Sequence, residues 1–170
     1  MSKKYYCYLV SYFVVLVVCT SWTDRNLFTV WVKSGDIILV KGEERKLSDL
    51  KELTKEYIAN PNNESWLPSK RSKRVHFFGD TQVSIAVVSI QTDRDVTYGF
   101  YIDVQNELEK AYAELREELA QKKFGTTYGS LSSKKQKAIN TVFPIRISEA
   151  EPNWVRGKDG ELRRNSSWYY

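Results

Sequence analysis

Val83-Ser84-Ile85-Ala86-Val87-Val88-Ser89-Ile90-Gln91-Thr92, followed after a short polar step by the stretch from Thr97 to Phe124, decides the fold of this chain. In the first run Ile85, Val87, Val88 and Ile90 put apolar side chains on both faces of an extended backbone, the signature of a central strand. In the second, Tyr101, Val104, Leu108, Ala111, Tyr112, Leu115 and Leu119 recur at three- and four-residue spacing and draw one apolar stripe. Glu107, Glu109, Lys110, Glu114, Arg116 and Glu117 fill the remaining face. A buried strand leading into a one-faced helix predicts a helix lying on a sheet. A coiled coil competes for the same stripe, but the run covers only about three heptads.

Toward the N-terminus, Leu27-Phe28-Thr29-Val30-Trp31-Val32 reads as a strand. Ser34-Gly35-Asp36 reads as a turn and Ile37-Ile38-Leu39-Val40 as the returning strand of a hairpin. Ser48 is placed to cap a helix carrying Leu50, Leu53, Tyr57 and Ile58, which Asn60-Pro61-Asn62-Asn63 ends. Residues 64–82, polar and basic and broken by Pro68 and Gly79, read as an irregular insertion.

Toward the C-terminus, Gly125 and Gly129 bracket a turn. Ser133 with Gln136 forms the pattern of a capping box for a short helix through Val142, stopped by Pro144. Ile145-Arg146-Ile147-Ser148 alternates like a half-buried strand. Residues 153–170 are polar and basic without periodicity and read as a disordered tail. The expected fold is α+β: a small mixed sheet of three to four strands with helices on one face. The folded domain spans 27–152.

The chain has 170 residues, enough for one domain plus tails. Its aromatic content of 14% and hydrophobic content of 42% suffice for a packed core. Both cysteines, Cys7 and Cys19, precede that domain, and His76 is the sole histidine. Disulfide staples, a cysteine-based zinc site and a supported Ser–His–Asp triad are therefore not expected. The expectation is a non-enzymatic protein with no catalytic, cofactor-binding or metal-binding residues. The net charge of +5 gathers partly in Lys70–Arg74 and Arg156–Arg164. Runs of this kind are usually solvated, and with no recognition motif beside them no nucleic-acid partner is expected.

Lys3 and Lys4 precede an uncharged segment from Tyr5 to Trp22. At about 1.5 Å per residue it reaches roughly 27 Å as a helix, close to a bilayer core. Tyr5, Tyr6 and Trp22 stand at its ends, where aromatic rings favour the lipid–water interface. The lysines before it orient residues 1–4 to the cytoplasm and the domain to the outside. A cleaved signal peptide fits the same features, with small residues at Cys19, Thr20 and Ser21, and a lipid-modified Cys19 is a third reading. All three imply export.

The junction Thr92-Asp93-Arg94-Asp95-Val96-Thr97-Tyr98-Gly99 resembles a signature of the ExbD/TolR family, with an acidic–basic–acidic stretch and then a Val-x-Tyr-Gly step. Asn60-Pro61-Asn62-Asn63, Tyr101 to Leu108, Ala120 to Gly125 and Arg146 to Pro152 are similar to the ExbD-like proteins of Bacteroidetes. The resemblance covers roughly residues 24–152. It implies a single-pass protein of the bacterial inner membrane with a periplasmic domain, the small subunit of a proton-driven transport motor. It further implies a homodimer beside an ExbB/TolQ-like channel subunit, energising a TonB- or TolA-like protein. Asp93, Asp95, Tyr98 and Gly99 become the candidate partner contacts, and Tyr5 and Trp22 the anchor ends in the lipid bilayer.

The resemblance stops at the proton carrier. The family couples protons through an aspartate inside its transmembrane helix, and Tyr5–Trp22 contains neither Asp nor Glu. Asp24 follows the segment at its outer end and does not match that residue. A proton-inert periplasmic binding or scaffold module built on the same domain therefore stands beside the motor subunit.

Overall fold

The computed structural model describes residues 24–150 and, as backbone, the short stretches 154–156 and 162–164. A 3-10 turn at Asp24–Asn26 leads into β1 (Leu27–Lys33), β2 (Ile37–Val40), β3 (Glu43–Arg45) and helix α1 (Leu47–Ala59). Strands β4 (Lys70–Val75), β5 (Gly79–Ser84) and β6 (Val87–Thr92) follow, then helix α2 (Tyr98–Phe124). Helix α3 (Ser133–Val142) precedes β7 (Ile147–Ala150), β8 (Trp154–Arg156) and β9 (Leu162–Arg164).

The main sheet has five strands in the order β3-β2-β1-β6-β7. Pairing is antiparallel on the β1–β2–β3 side and parallel for β1–β6 and β6–β7, so the sheet is mixed as expected. It is one strand wider than the sequence suggested, because Lys41 and Gly42 both take positive φ and return Glu43–Arg45 onto β2. Two residues at positive φ are what a tight hairpin turn asks of the backbone.

One face of the sheet carries the core. Phe28, Val30 and Val32 of β1 lie in register with Val88 and Ile90 of β6 and with Ile38 and Val40 of β2. Leu50, Tyr57 and Ile58 of α1 and Val104, Leu108, Tyr112 and Leu115 of α2 close over them. The stripe read in α2 is thus the surface that packs. Tyr57 reaches from this core to donate a hydrogen bond to the Arg25 carbonyl at 2.6 Å, and burial pushes its phenol well above the ordinary value. Across the helix pair, Lys51 and Lys55 meet Glu114 at 2.6 and 2.8 Å.

Several expectations are corrected. Residues 64–82 are not irregular throughout: β4 and β5 form an antiparallel hairpin from Lys70↔Ser84 to Val75↔Gly79. Val83–Thr92 is not one strand, since the chain leaves the hairpin after Ser84 and enters the main sheet at Val87. Ser84 fixes that break, its hydroxyl donating to the Ile58 carbonyl at 2.8 Å and accepting from Ala86 N at 3.3 Å.

The caps also move. Helix α1 starts after Lys46 with no side-chain cap, and the Ser48 hydroxyl bonds to the Asp49 carboxylate instead. Helix α3 starts after Ser132, and the Gln136 amide turns back to the Tyr128 carbonyl at 3.0 Å, so no capping box forms. The strand read from Ile145 begins instead at Ile147, as β7.

Hairpin β4–β5 and helix α3 make a second, smaller packing unit. Val75 and Val83 bury against Ala138, with Phe78 beside them. Ala120, Leu131 and Ile139 form a third cluster that ties α3 to the end of α2. Within the stretch expected as a tail, β8 and β9 pair from Trp154↔Arg164 to Arg156↔Leu162. Its other residues, like Tyr5–Trp22, lie outside the described residues. Among the described residues no helix is long and apolar enough to cross a membrane.

Candidate functional site

The junction between β6 and α2 lies at the carboxyl ends of the parallel strands β1 and β6. Its first half is built into the sheet. Asp93 N donates to the Val32 carbonyl at 2.9 Å, extending the β1–β6 pairing by one bond. The Asp93 carboxylate accepts the indole N–H of Trp31 at 3.0 Å, and the Lys33 ammonium sits 4.4 Å from the centre of that indole ring. Asp93 is therefore a structural acceptor for a buried aromatic as well as a candidate contact.

The second half starts the helix. Thr97 is the N-cap, its hydroxyl accepting from Phe100 N at 3.4 Å, while Asp95 stays exposed and makes no cap bond. Thr97 alone supplies the side-chain cap of α2. Arg94, Asp95, Tyr98 and Gly99 face outward, and Tyr98 is 77% exposed. A Cβ built on Gly99 meets nothing within 4 Å, so no neighbour within the domain requires a glycine there.

A cluster that the sequence did not reveal adjoins the junction. The Tyr98 ring lies 6.4 Å from that of Tyr101, whose hydroxyl donates to the Glu149 carboxylate on β7. Gln105 donates to the Tyr101 oxygen at 2.6 Å and to Glu149 at 3.0 Å. Burial first, and the bond to Glu149 second, push the Tyr101 phenol up to about 12. It therefore stays a protonated donor at neutral pH. Tyr101 and Gln105 share the half-buried rim of the α2 stripe, but only the tertiary fold brings β7 to them. Sequence spacing carries no signal for a pair this far apart in the chain.

Beside the cluster, β7 is an edge: among the described residues it pairs only with β6. The opposite edge, β3, is short and carries Glu43, Glu44 and Arg45 on exposed positions, features that discourage pairing. The site thus combines exposed aromatic and acidic side chains with an open backbone edge. That combination suits recognition of an extended segment. Among the described residues no group of three or more His, Cys, Asp and Glu gathers at metal-binding distance.

Comparison with protein-family models, with curated proteins and with solved structures yields no match for this chain.

Proposed function

We propose that the protein is an ExbD/TolR-like, membrane-anchored periplasmic subunit of a proton-motive-force-driven transport motor, non-enzymatic, held in the bacterial inner membrane by Tyr5–Trp22. In this reading it works as a homodimer beside an ExbB/TolQ-like channel subunit and supports a TonB- or TolA-like protein. The observation that carries it is the β6–α2 junction. The residues that bear the family resemblance, Asp95, Tyr98 and Gly99, are exposed there, and no neighbour within 4 Å explains the glycine. The order of strands and helices supports the same reading, as does the open edge of β7, where a partner segment would add as a further strand.

The absence of Asp and Glu from Tyr5–Trp22 favours a second reading, a proton-inert binding or scaffold module on the same domain. Co-expression with an ExbB/TolQ-like channel subunit, followed by detergent extraction and co-purification, separates the two. The motor reading expects a stable complex that is lost when residues 5–22 are deleted. Failure to form that complex, with partner binding by the domain surviving the deletion, leaves the scaffold module. Independently, Ile147→Pro on β7 removes an N–H that points away from β6 and should weaken the TonB- or TolA-like contact. Unchanged affinity would sink strand addition at this edge.

A further inference from the structure

We infer that the cavity between the β4–β5 hairpin and helix α3 is an anion site that takes phosphate groups. The inference does not rest on the motor reading. The cavity measures about 340 Å³, room for a diphosphate or a phosphorylated headgroup. Lys73, Arg74 and His76 form one wall, and Lys134 and Lys137 the other. These groups come from two separate stretches of sequence, and only folding brings them together.

The cavity has no Asp or Glu in its lining. The hairpin's own acid, Asp80, approaches Arg74 at 3.4 Å, but both side chains are mostly exposed and such a pair holds weakly. Elsewhere the sequence offers no relief, because no acidic residue occurs from Leu119 to Ser148. Among the described residues Lys73, Lys134 and Lys137 make no ion pair, in contrast to Lys51 and Lys55, which share Glu114. A concave surface lined by one sign of charge concentrates counter-ions of the other.

Helix α3 adds to the imbalance. Lys134 stands in its first turn, where the helix dipole disfavours a cation, and Ser132 supplies no side-chain cap. An anion between the walls would answer the ammonium groups of Lys134 and Lys137. Beneath them Val75 and Ala138 are buried, so the floor is fixed by packing. Solvation alone explains cations dispersed on a surface; it does not explain two runs converging on one concavity whose lining holds no acid. Phosphate fits because several ammonium and guanidinium donors can share its oxygens.

Titrating the full-length chain, in non-ionic detergent, with inorganic pyrophosphate and with a soluble short-chain phosphatidylglycerol tests the site. Calorimetry gives the affinity and circular dichroism checks the fold of each variant. The paired substitution Lys134→Gln/Lys137→Gln should weaken pyrophosphate binding by about tenfold or more. Arg74→Gln, on the opposite wall, should act in the same direction without touching α3. Removing equal charge elsewhere, through Lys46→Gln/Lys122→Gln, should change affinity by less than about twofold. Phosphatidylglycerol competing with pyrophosphate, and losing affinity with it in the variants, assigns the site to a lipid headgroup. Pyrophosphate binding without such competition assigns it to a soluble phosphate compound. No measurable pyrophosphate binding, or equal weakening in the control pair, overturns the inference.

Discussion

Gly99 separates a structural from a recognition role at a single position. It lies in the first turn of α2, and an added methyl group meets nothing. Gly99→Ala should therefore raise unfolding stability by up to about 1 kcal/mol, through lower chain entropy and better helix propensity. If the exposed junction is where a partner approaches, the same substitution should weaken that partner's binding. A stability gain without any loss of binding would make the glycine incidental. Thr54 tests the core in the same spirit. It is 0% exposed, and among the described residues its hydroxyl oxygen has no hydrogen-bond partner. Thr54→Val keeps the shape and removes the unmet group, so chemical denaturation should show a gain of about 1 kcal/mol. A loss instead would mean that the hydroxyl is satisfied in solution. Asp93 shows why a site read at residue level is only partly legible. Its place in the motif was visible, but its bond to Trp31 depends on strand register, which sequence does not give.

Among the elements, α2 was the most legible, because Val104, Leu108, Ala111, Tyr112 and Leu115 are all buried as their spacing indicates. The β4–β5 hairpin was the least. Lys70-Arg71-Ser72-Lys73-Arg74-Val75 shows no alternation, since every position but the last is exposed or half-buried. The hairpin is held by backbone pairing and by contacts to α3, neither of which leaves a local pattern. The pairing of α1 with α2 includes a charged contact with a defined pH signature. The Glu114 carboxyl is held below its usual range by hydrogen bonds from Lys51 and then Lys55. A depressed carboxylate adds stability above its unfolded value and loses it as pH falls through the folded one. Glu114→Gln should lower Tm by about 1–3 °C at pH 7, a small effect because the pair is solvent-screened. That difference should close on acidification below about pH 4 and shrink in high salt. A pH-independent difference would mean that packing, and not charge, sets the contribution of Glu114.

On the scale of the whole molecule, the core divides unequally. The main cluster unites the sheet with α1 and α2, whereas the hairpin and α3 depend on the small groups around Val75, Val83 and Ala138 and around Ala120, Leu131 and Ile139. Opening free energy follows the apolar contacts that an element must give up, so the smaller unit should open first. Native-state hydrogen exchange on the full-length chain should find β4–β5 amides exchanging at lower free energy than those of β1 and β6. The difference is a consequence of burial: Val30, Val32 and Val88 are 0% exposed, while the hairpin buries only its ends. If a phosphate-bearing ligand bridges the two walls of the basic cavity, saturating pyrophosphate should protect β4–β5 and α3 selectively. Bound ligand stabilises only the states that retain its site, so β1 and β6 should gain protection only as far as their opening also dissolves that site. Uniform exchange across both units without ligand would show that they open together. The hairpin would then be an integral part of the domain's cooperative core and not a separately stable appendage.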